Sequence, residues 1–188
     1  VVPEAGGSLL GVNTDGAGFL DALRADLGVT PDGRRCVVVG AGGAARAVVR
    51  ALAMAGAAEV VVVNRTPGRA GAVVALAGAV GRAGPPSATA AADLVVNATP
   101  VGMDGRSTPL DGVELGAGQV VVDLIYHPAD TPLLAGARAG GATTANGLGM
   151  LVHQAAHAFT RWTGHEAPVA EMTAAALAQL AAAPAAGD

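Results

Sequence analysis

Apolar and polar positions alternate along the chain in a way that predicts strands separated by helices. Four Val-rich runs are almost wholly apolar, which is typical of strands buried on both faces of a sheet. They are residues 36–39, 60–63, 94–97 and 120–125. Segments of helical composition, residues 44–55 and 67–76, separate them. The alternation predicts βαβ units and an α/β fold, a Rossmann-like doubly wound parallel sheet.

Two flanking segments fit this core less well. Residues 8–28 predict a short strand that ends at Asn13-Thr14-Asp15, followed by a helix. The apolar side of that helix carries Phe19, Leu20, Leu23 and Leu27. Residues 148–162 predict a helix, and residues 172–180 another. The expected apolar stripe of the first of these is Leu151, Ala155, Ala158 and Phe159.

Both flanking segments are expected to pack on another part of the protein. The chain is therefore expected to divide into three parts. Residues 1–28 would be the last strand and linker helix of a substrate domain, and residues 29–147 the dinucleotide-binding domain. Residues 148–188 would be C-terminal helices that return to the substrate domain. A chain of 188 residues can bury one well-formed core but hardly two complete domains.

Composition narrows the class of protein. No stretch offers the roughly twenty consecutive apolar residues that a bilayer crossing needs, so we expect a soluble protein without membrane contact. A single cysteine, Cys36, excludes an intramolecular disulfide and suits a reducing cytoplasm. The net charge of −4 and the absence of a basic run argue against nucleic acid as a partner. A small-molecule substrate is the expected partner.

A glycine-rich turn follows the first predicted strand and opens a helix. Gly40 permits a tight turn, Gly42 lets the backbone approach a pyrophosphate, and Ala45 keeps helix and strand close, while the N–H groups at the helix start bind anionic oxygens. The alternative is an ordinary loop in a chain rich in Ala and Gly. The turn fits the G-x-G-x-x-G/A pattern in its required context, with the residues Gly40, Ala41, Gly42, Gly43, Ala44 and Ala45.

The end of the second predicted strand indicates which dinucleotide is bound. An NAD-binding domain usually places an acid there, on the ribose hydroxyls, but this chain has Asn64, Arg65 and Thr66, with Arg69 close behind. The arginines offer forked donors suited to a 2′-phosphate, with Asn64 and Thr66 as neutral partners. NADP is therefore favoured over NAD, and solvated surface arginines are the alternative.

Further segments carry a resemblance to a known family. They are residues 11–16 (GVNTDG), 97–103 (NATPVGM), 123–126 (DLIY) and 149–156 (GMLVHQAA). Together with the glycine turn and Asn64-Arg65-Thr66, in this order, they resemble the shikimate dehydrogenase family from about residue 10 to residue 164. The resemblance implies an NADP-dependent oxidoreductase that interconverts 3-dehydroshikimate and shikimate in aromatic amino acid biosynthesis.

The resemblance also implies roles for single residues. Asp15 would be the acidic member of a catalytic Lys–Asp pair beside the group that exchanges hydride with the nicotinamide. Asp15, Tyr126 and Gln154 would contact the substrate. The implied contacts along the cofactor, in addition to the turn and the arginines, are Thr99, Pro100, Val101, Met103, Leu124 and Gly147.

Each substrate-side residue also has a structural alternative. Asp15 follows Asn-Thr before a helix, which is common capping chemistry. Gln154 could bond a neighbouring backbone group. Tyr126 could be a core ring with its hydroxyl at the surface.

Two other features are interpreted as structural rather than chemical. His153 and His157 are four apart, as in the zinc-protease H-E-x-x-H motif, but the glutamate is missing, so no metal is expected. Cys36 lies in a Val-rich strand and is interpreted as a buried small hydrophobe.

The family has an N-terminal domain that supplies the catalytic lysine and most of the polar groups that hold the substrate. This chain has 11 arginines and no lysine. We therefore expect a truncated form or partial gene that is inactive alone and forms a homodimer or lacks its partner domain. A split enzyme, a quinate or aminoshikimate dehydrogenase, and a non-catalytic NADP-binding module or subunit stay open.

Overall fold

Short runs of Val form the centre of the fold in the computed structural model, which describes residues 1–3 and 6–182. The strands are β1 (Val2–Pro3), β2 (Leu9–Leu10), β3 (Arg35–Val39), β4 (Glu59–Val63), β5 (Gly81–Ala83), β6 (Leu94–Asn97), β7 (Val120–Asp123) and β8 (Thr143–Ala145). The α-helices are α1 (Asp15–Leu27), α2 (Gly43–Met54), α3 (Pro67–Val74), α4 (Pro132–Ala139), α5 (Leu148–Thr163) and α6 (Val169–Ala182). Two 3₁₀ helices span Ala75–Val80 and Pro86–Ala91.

Strands β3 to β8 form one parallel sheet, and β1 pairs with β2 in a separate antiparallel hairpin. The order in the sheet is β5-β4-β3-β6-β7-β8. It reverses between β3 and β6, which is the switch point at which doubly wound sheets bind ligands, outside the carboxyl ends of the strands. The predicted Rossmann-like sheet is confirmed, and its crevice lies between the loops that follow β3 and β6.

Alternate residues of the central strands point to opposite faces of the sheet. On one face Val38, Val62 and Val96 pack with side chains of α1, α2 and α3. On the other face Val37, Val61 and Val95 pack with α4. The interior is built mainly from Val, Leu and Ala, since only 2% of the residues are aromatic.

Cys36 belongs to this interior and is fully buried. Burial raises the pKa of its thiol to about 12, so the thiolate needed for nucleophilic chemistry is scarce at neutral pH. The interpretation of Cys36 as a buried small hydrophobe is confirmed.

Several predicted boundaries are wrong for local reasons. The fourth predicted strand ends at Asp123 instead of Ile125, because the carboxylate of Asp123 accepts the backbone N–H of Ile125 and turns the chain. The predicted helix 67–76 is α-helical only to Val74 and continues as a 3₁₀ helix. The strand expected to reach residues 13–15 ends at Leu10. The edge strands β5 and β8 were not predicted, since neither contains an apolar run.

The helix α5 packs lengthwise on α1. Leu148, Val152 and Ala156 form its buried side, whereas the predicted stripe is wrong in part, because Leu151 and Phe159 are exposed. Spacing of four residues puts 148, 152 and 156 on one side of the helix. Helix α1 contacts the adjacent side, through the backbone of Gln154 and the ring of His157. Within the chain this helix therefore packs on α1, which belongs to the other flanking segment.

The C-terminal helix α6 buries none of its side chains. The last part of the expected segment 148–188, residues 183–188, lies outside the described residues. Among the residues that the structure does describe, no helix combines the length and the apolar composition needed to cross a bilayer.

A glycine sets how closely α1 and α5 approach. A Cβ atom at Gly18 would overlap the backbone N and Cα of Gln154. We expect Gly18→Ala to lower the free energy of unfolding by about 1–3 kcal/mol, because one of the two helices must move. Urea denaturation measures the loss.

The matched control is Gly149→Ala in the same helix pair. There the added Cβ would overlap the carboxylate of Asp26, which is the mobile end of a side chain and can turn away. Its other close neighbour is the Cβ of Ala22 at 3.1 Å, which needs to give by only a few tenths of an ångström. The cost of Gly149→Ala should be smaller than that of Gly18→Ala. Equal stabilities of Gly18→Ala and the unchanged chain would contradict the proposed role of this contact.

Candidate functional site

The glycine turn lies at the switch point of the sheet. Gly40 has φ +118°, a conformation that L side chains rarely adopt, and its N–H donates to the Val63 carbonyl at 2.8 Å. A Cβ atom on Gly40 would lie 2.7 Å from the carbonyl oxygen of Ala98 and 3.0 Å from Cγ2 of Thr99. Glycine is therefore required for the loops after β3 and β6 to meet.

The start of α2 faces open space. Gly42 is the N-cap residue, with no side-chain cap bond, and a Cβ atom on Gly42 or Gly43 would have no neighbour within 4 Å. The first N–H groups of a helix have no intrahelical acceptor. Beside them Ala41 and Ala44 are half-buried, while Ala45 is fully buried against the core. Backbone donors at this point can hold phosphate oxygens.

The segment after β4 contains cations without acidic partners. Asn64 Nδ2 donates to the Thr66 carbonyl oxygen at 2.8 Å, and the N–H of Arg69 donates to the same oxygen at 3.0 Å. Arg65 and Arg69 are exposed, and no salt bridge joins either of them to a carboxylate of the described residues. Their guanidinium groups are free for an anionic ligand next to the turn.

The loop after β6 is shaped by the buried side chain of Asn97. Its Oδ1 accepts the backbone N–H and the hydroxyl of Thr99, at 3.0 and 2.7 Å. Its Nδ2 donates to the Val101 carbonyl at 3.2 Å and to Asp123 Oδ1 at 2.9 Å. The Thr99 hydroxyl in turn accepts the N–H of Val101 at 3.2 Å. The conformation of residues 99–101 is therefore set by one amide.

Asp123 is the buried acid of the site. Its Oδ1 also accepts the Ile125 N–H at 3.1 Å, and Oδ2 accepts the Thr131 hydroxyl at 2.7 Å. Burial raises the pKa of this carboxyl group, while the hydrogen bonds from Thr131, Ile125 and Asn97 act in the opposite direction. Three donors converge on two oxygens, as a carboxylate requires.

The remaining predicted cofactor residues lie around these two side chains. The N–H of Leu124 donates to the Asn97 carbonyl at 3.0 Å, and that of Gly147 donates to the Ile125 carbonyl at 3.0 Å. A Cβ atom at Gly147 would overlap the Leu124 carbonyl group. Met103 and Pro100 lie on the exposed side of the loop, where the Met103 N–H donates to the Pro100 carbonyl.

The structure brings two of the predicted substrate residues towards each other. Asp15 is the first residue of α1 and Thr14 is its N-cap, with no side-chain cap bond. The Asp15 carboxylate accepts a bond from Asn13 Nδ2 at 3.3 Å. The Thr14 hydroxyl donates to Gln154 Oε1 at 3.5 Å, so Gln154 lies beside the residue that precedes Asp15.

The structure bears differently on the structural roles considered as alternatives for Asp15, Gln154 and Tyr126. Asp15 does not cap α1, so its carboxylate is available for other contacts. Gln154 does bond a neighbouring backbone group, because its Nε2 donates to the Leu151 carbonyl at 2.9 Å. Tyr126 is 42% exposed and follows the end of β7, so it is not a core ring.

The two histidines of α5 lie on its side towards α1. His157 Nε2 is 2.7 Å from Asp21 Oδ2, a contact between the two helices. No group of three or more potential ligands from His, Cys, Asp and Glu comes together among residues 1–3 and 6–182.

The roles of Asn97, Asp123 and Thr131, which are fully buried, are not among those predicted from the sequence. A signal for two of them was present. Asn97 and Asp123 each end a Val-rich strand, and they are register partners in the parallel pair β6–β7. A polar residue that ends each of two adjacent buried strands is expected to meet its counterpart.

The switch point, the glycine turn and the open helix start together define a protein of the Rossmann class, in which dinucleotides bind at this edge of the sheet. Two family models match the chain: "Shikimate / quinate 5-dehydrogenase" over residues 25–100 and "Shikimate 5'-dehydrogenase C-terminal domain" over residues 147–177. A shikimate dehydrogenase (NADP(+)) from Moorella thermoacetica is 49% identical over 87% of this chain and 59% of its own length. The chain belongs to the shikimate dehydrogenase family.

Solved structures agree with this assignment. Shikimate 5-dehydrogenase from Thermus thermophilus, in complex with NADP(H) and shikimate, is 43% identical with a TM-score of 0.81, over 89% of this chain and 63% of that one. Quinate dehydrogenase from Corynebacterium glutamicum, in complex with NAD, is 35% identical with a TM-score of 0.86, over 94% and 66%. The chain spans between 56% and 67% of the length of its curated relatives.

Proposed function

We propose that this chain is the cofactor-binding part of an NADP-dependent oxidoreductase that interconverts 3-dehydroshikimate and shikimate. The observation that carries the proposal is the open space in front of α2, bordered by glycine backbone and by two arginines that have no acidic partner among residues 1–3 and 6–182. Relatives named as NADP-dependent shikimate dehydrogenases support it.

The residues present fit NADP. In the proposed complex, the turn from Gly40 to Ala44 holds the pyrophosphate at the start of α2, and Arg65 and Arg69 hold the 2′-phosphate. Asn64 and Thr66, on either side of Arg65 in the sequence, are neutral hydrogen-bonding partners in this site. The nicotinamide half lies along Thr99, Pro100, Val101, Met103, Leu124 and Gly147. When bound, NADP supplies the acceptor and donor of hydride.

On the substrate side we assign Asp15, Gln154 and Tyr126. Asp15 accepts a hydrogen bond from the hydroxyl group that loses its proton during oxidation. Gln154 can both donate and accept bonds to a polyol. Since the chain has no lysine, the second member of the acid–base pair must come from outside these 188 residues.

The proposed domain division has residues 1–28 and 148–188 flanking the dinucleotide-binding part, residues 29–147. Leu9 of the hairpin is 71% exposed and Trp162 of α5 is 66% exposed. Trp162 Nε1 donates to the Val1 carbonyl at 3.1 Å, so α5 contacts the residue that precedes the hairpin, and both elements expose apolar side chains. We propose that a substrate-binding domain covers these side chains, with a homodimer as the alternative.

Quinate is the second candidate substrate. The similarity to a quinate dehydrogenase in complex with NAD, with a TM-score of 0.86, supports it, and so does the match to the shikimate / quinate 5-dehydrogenase family model. The arginines after β4 favour the first candidate, because a 2′-phosphate distinguishes NADP from NAD.

The substitution Gly42→Ala tests the cofactor site. Its φ of −84° suits alanine and the added methyl group meets no protein atom, so the fold should be unaffected. The methyl group would instead occupy the path of the pyrophosphate. We expect the affinity for NADPH to fall by about tenfold or more, measured by titration of nicotinamide fluorescence.

The matched control is Gly136→Ala in α4, where an added Cβ is equally free of neighbours. It should leave the affinity for NADPH unchanged. Failure of the unchanged chain to bind NADPH at all, or equal affinities of the two variants, would contradict the proposed function.

A further inference from the structure

The proposed cofactor contacts on the β6 side of the crevice share a common support. Residues 99–101 are held by Asn97, and the backbone of Leu124 is bonded to the Asn97 carbonyl. Asn97 is bonded in turn to Asp123. We call Asn97, Asp123 and Thr131 the buried triad.

All three side chains of the buried triad are fully buried. Every donor and acceptor in it has one chemically consistent role: the amide oxygen of Asn97 takes two donors, its NH₂ group faces two acceptors, and the Asp123 carboxylate takes three donors. A low-polarity environment strengthens such bonds and makes the loss of one partner costly. The loops attached to the triad therefore have one preferred arrangement.

The triad lies on one side of the switch point only. Strands β4 and β6 flank β3 on opposite sides, and a dinucleotide bound across the crevice places its two halves on these two sides. The arginines after β4 mark the adenosine half, so the loops after β6 and β7 contact the nicotinamide half.

We propose that the buried triad is a positioning device for the nicotinamide half of the cofactor, and that it has no part in binding the adenosine half. The inference rests on the proposed function. Asn97, Asp123 and Thr131 do not touch the cofactor; they fix the backbone of the loops that do.

Two ligands separate the halves in an experiment on the 188-residue chain. NADPH contains both halves, whereas adenosine 2′,5′-bisphosphate contains the adenosine half alone. In Asp123→Leu the donors of Asn97, Ile125 and Thr131 lose their acceptor. The dissociation constant for NADPH should rise by about tenfold or more, and that for adenosine 2′,5′-bisphosphate should change by less than about twofold.

Asp123→Asn is the conservative variant. Its amide oxygen can accept the bonds from Asn97 and Ile125, and its NH₂ group can donate to the Thr131 oxygen. It should retain most of the affinity for NADPH and the enhanced fluorescence of the bound nicotinamide, both of which Asp123→Leu loses.

The matched control lies at the other end of β7. Gln119 makes three hydrogen bonds, with the N–H of Gly116 and the carbonyls of Thr89 and Ala92. Gln119→Leu should lower stability while leaving both affinities unchanged. Should Asp123→Leu fail to fold, Thr131→Val removes the hydroxyl bond to Asp123 at 2.7 Å and the N-cap bond from the Leu134 N–H at 3.4 Å. It should weaken NADPH binding selectively, by a smaller factor.

The possible failures are distinct. An unchanged chain that binds neither ligand contradicts the proposed function, and the inference with it. An unchanged chain that binds both, with a variant that loses both equally or neither, contradicts the inference alone.

Discussion

The 188-residue chain, purified alone, is expected to bind NADP but to oxidise shikimate at a negligible rate. The carboxylate of Asp15 can accept a hydrogen bond, but a carboxylate has no proton to give when the ketone is reduced. No lysine is present to share that task. Loss of positioned acid–base help lowers rates by about a hundred- to ten-thousand-fold, and loss of substrate orientation lowers them further. The rate is measured as the rise in NADPH absorbance when the chain is mixed with shikimate and NADP.

Turnover should be restored by the part of a relative that lies outside the match, such as that of the Moorella thermoacetica enzyme, joined to the chain or added to it. Asp15→Asn in the joined protein should then remove most of the activity. Asp26→Asn, an exposed acid on the same helix, is the matched control and should leave the rate unchanged. Turnover by the bare chain at ordinary enzymatic rates would disprove the role given to Asp15 and its missing partner.

The second large effect expected is on the choice of cofactor. NADPH should bind more tightly than NADH by roughly ten- to a hundredfold, because one or two charge-assisted hydrogen bonds to the 2′-phosphate contribute about that factor to the affinity. Arg65→Ala should abolish most of this preference without weakening NADH. Arg65→Lys should be intermediate, because it keeps the charge but loses the forked donors. Fluorescence titration with each cofactor measures both affinities.

Arg24→Ala is the matched control, since Arg24 is an exposed arginine of α1. Its removal changes the net charge equally but should not alter the preference. Equal affinities of the unchanged chain for NADPH and NADH would refute the assignment of Arg65 and Arg69 to a 2′-phosphate.

The sequence predicts the central sheet well because its strands are buried on both faces. Strands β3, β4, β6 and β7 each carry a run of apolar residues, which needs no knowledge of neighbours. The edge strands β5 and β8 have three residues each, and their pairing depends on the strand beside them. A local pattern cannot predict such strands.

The same distinction applies to the candidate site. The glycine turn uses backbone chemistry that consecutive residues determine, so its position is evident from the sequence. The bond between Asp123 and Asn97 joins residues 26 positions apart, and that between Thr14 and Gln154 joins residues 140 positions apart. These contacts follow from strand order and helix packing, which only the folded chain defines.

The pairing of α1 with α5 has a consequence for folding. The contacts Asp21–His157 and Thr14–Gln154 join residues 136 and 140 positions apart, with the entire parallel sheet between them in the chain. Closing so long a loop is entropically costly until the intervening chain is compact. During synthesis α1 is made before the sheet, and α5 is made after it. The sheet can therefore form while Asp15 and Gln154, the two proposed substrate-binding residues, are still far apart. Assembly of the substrate side is therefore expected to be a late folding event.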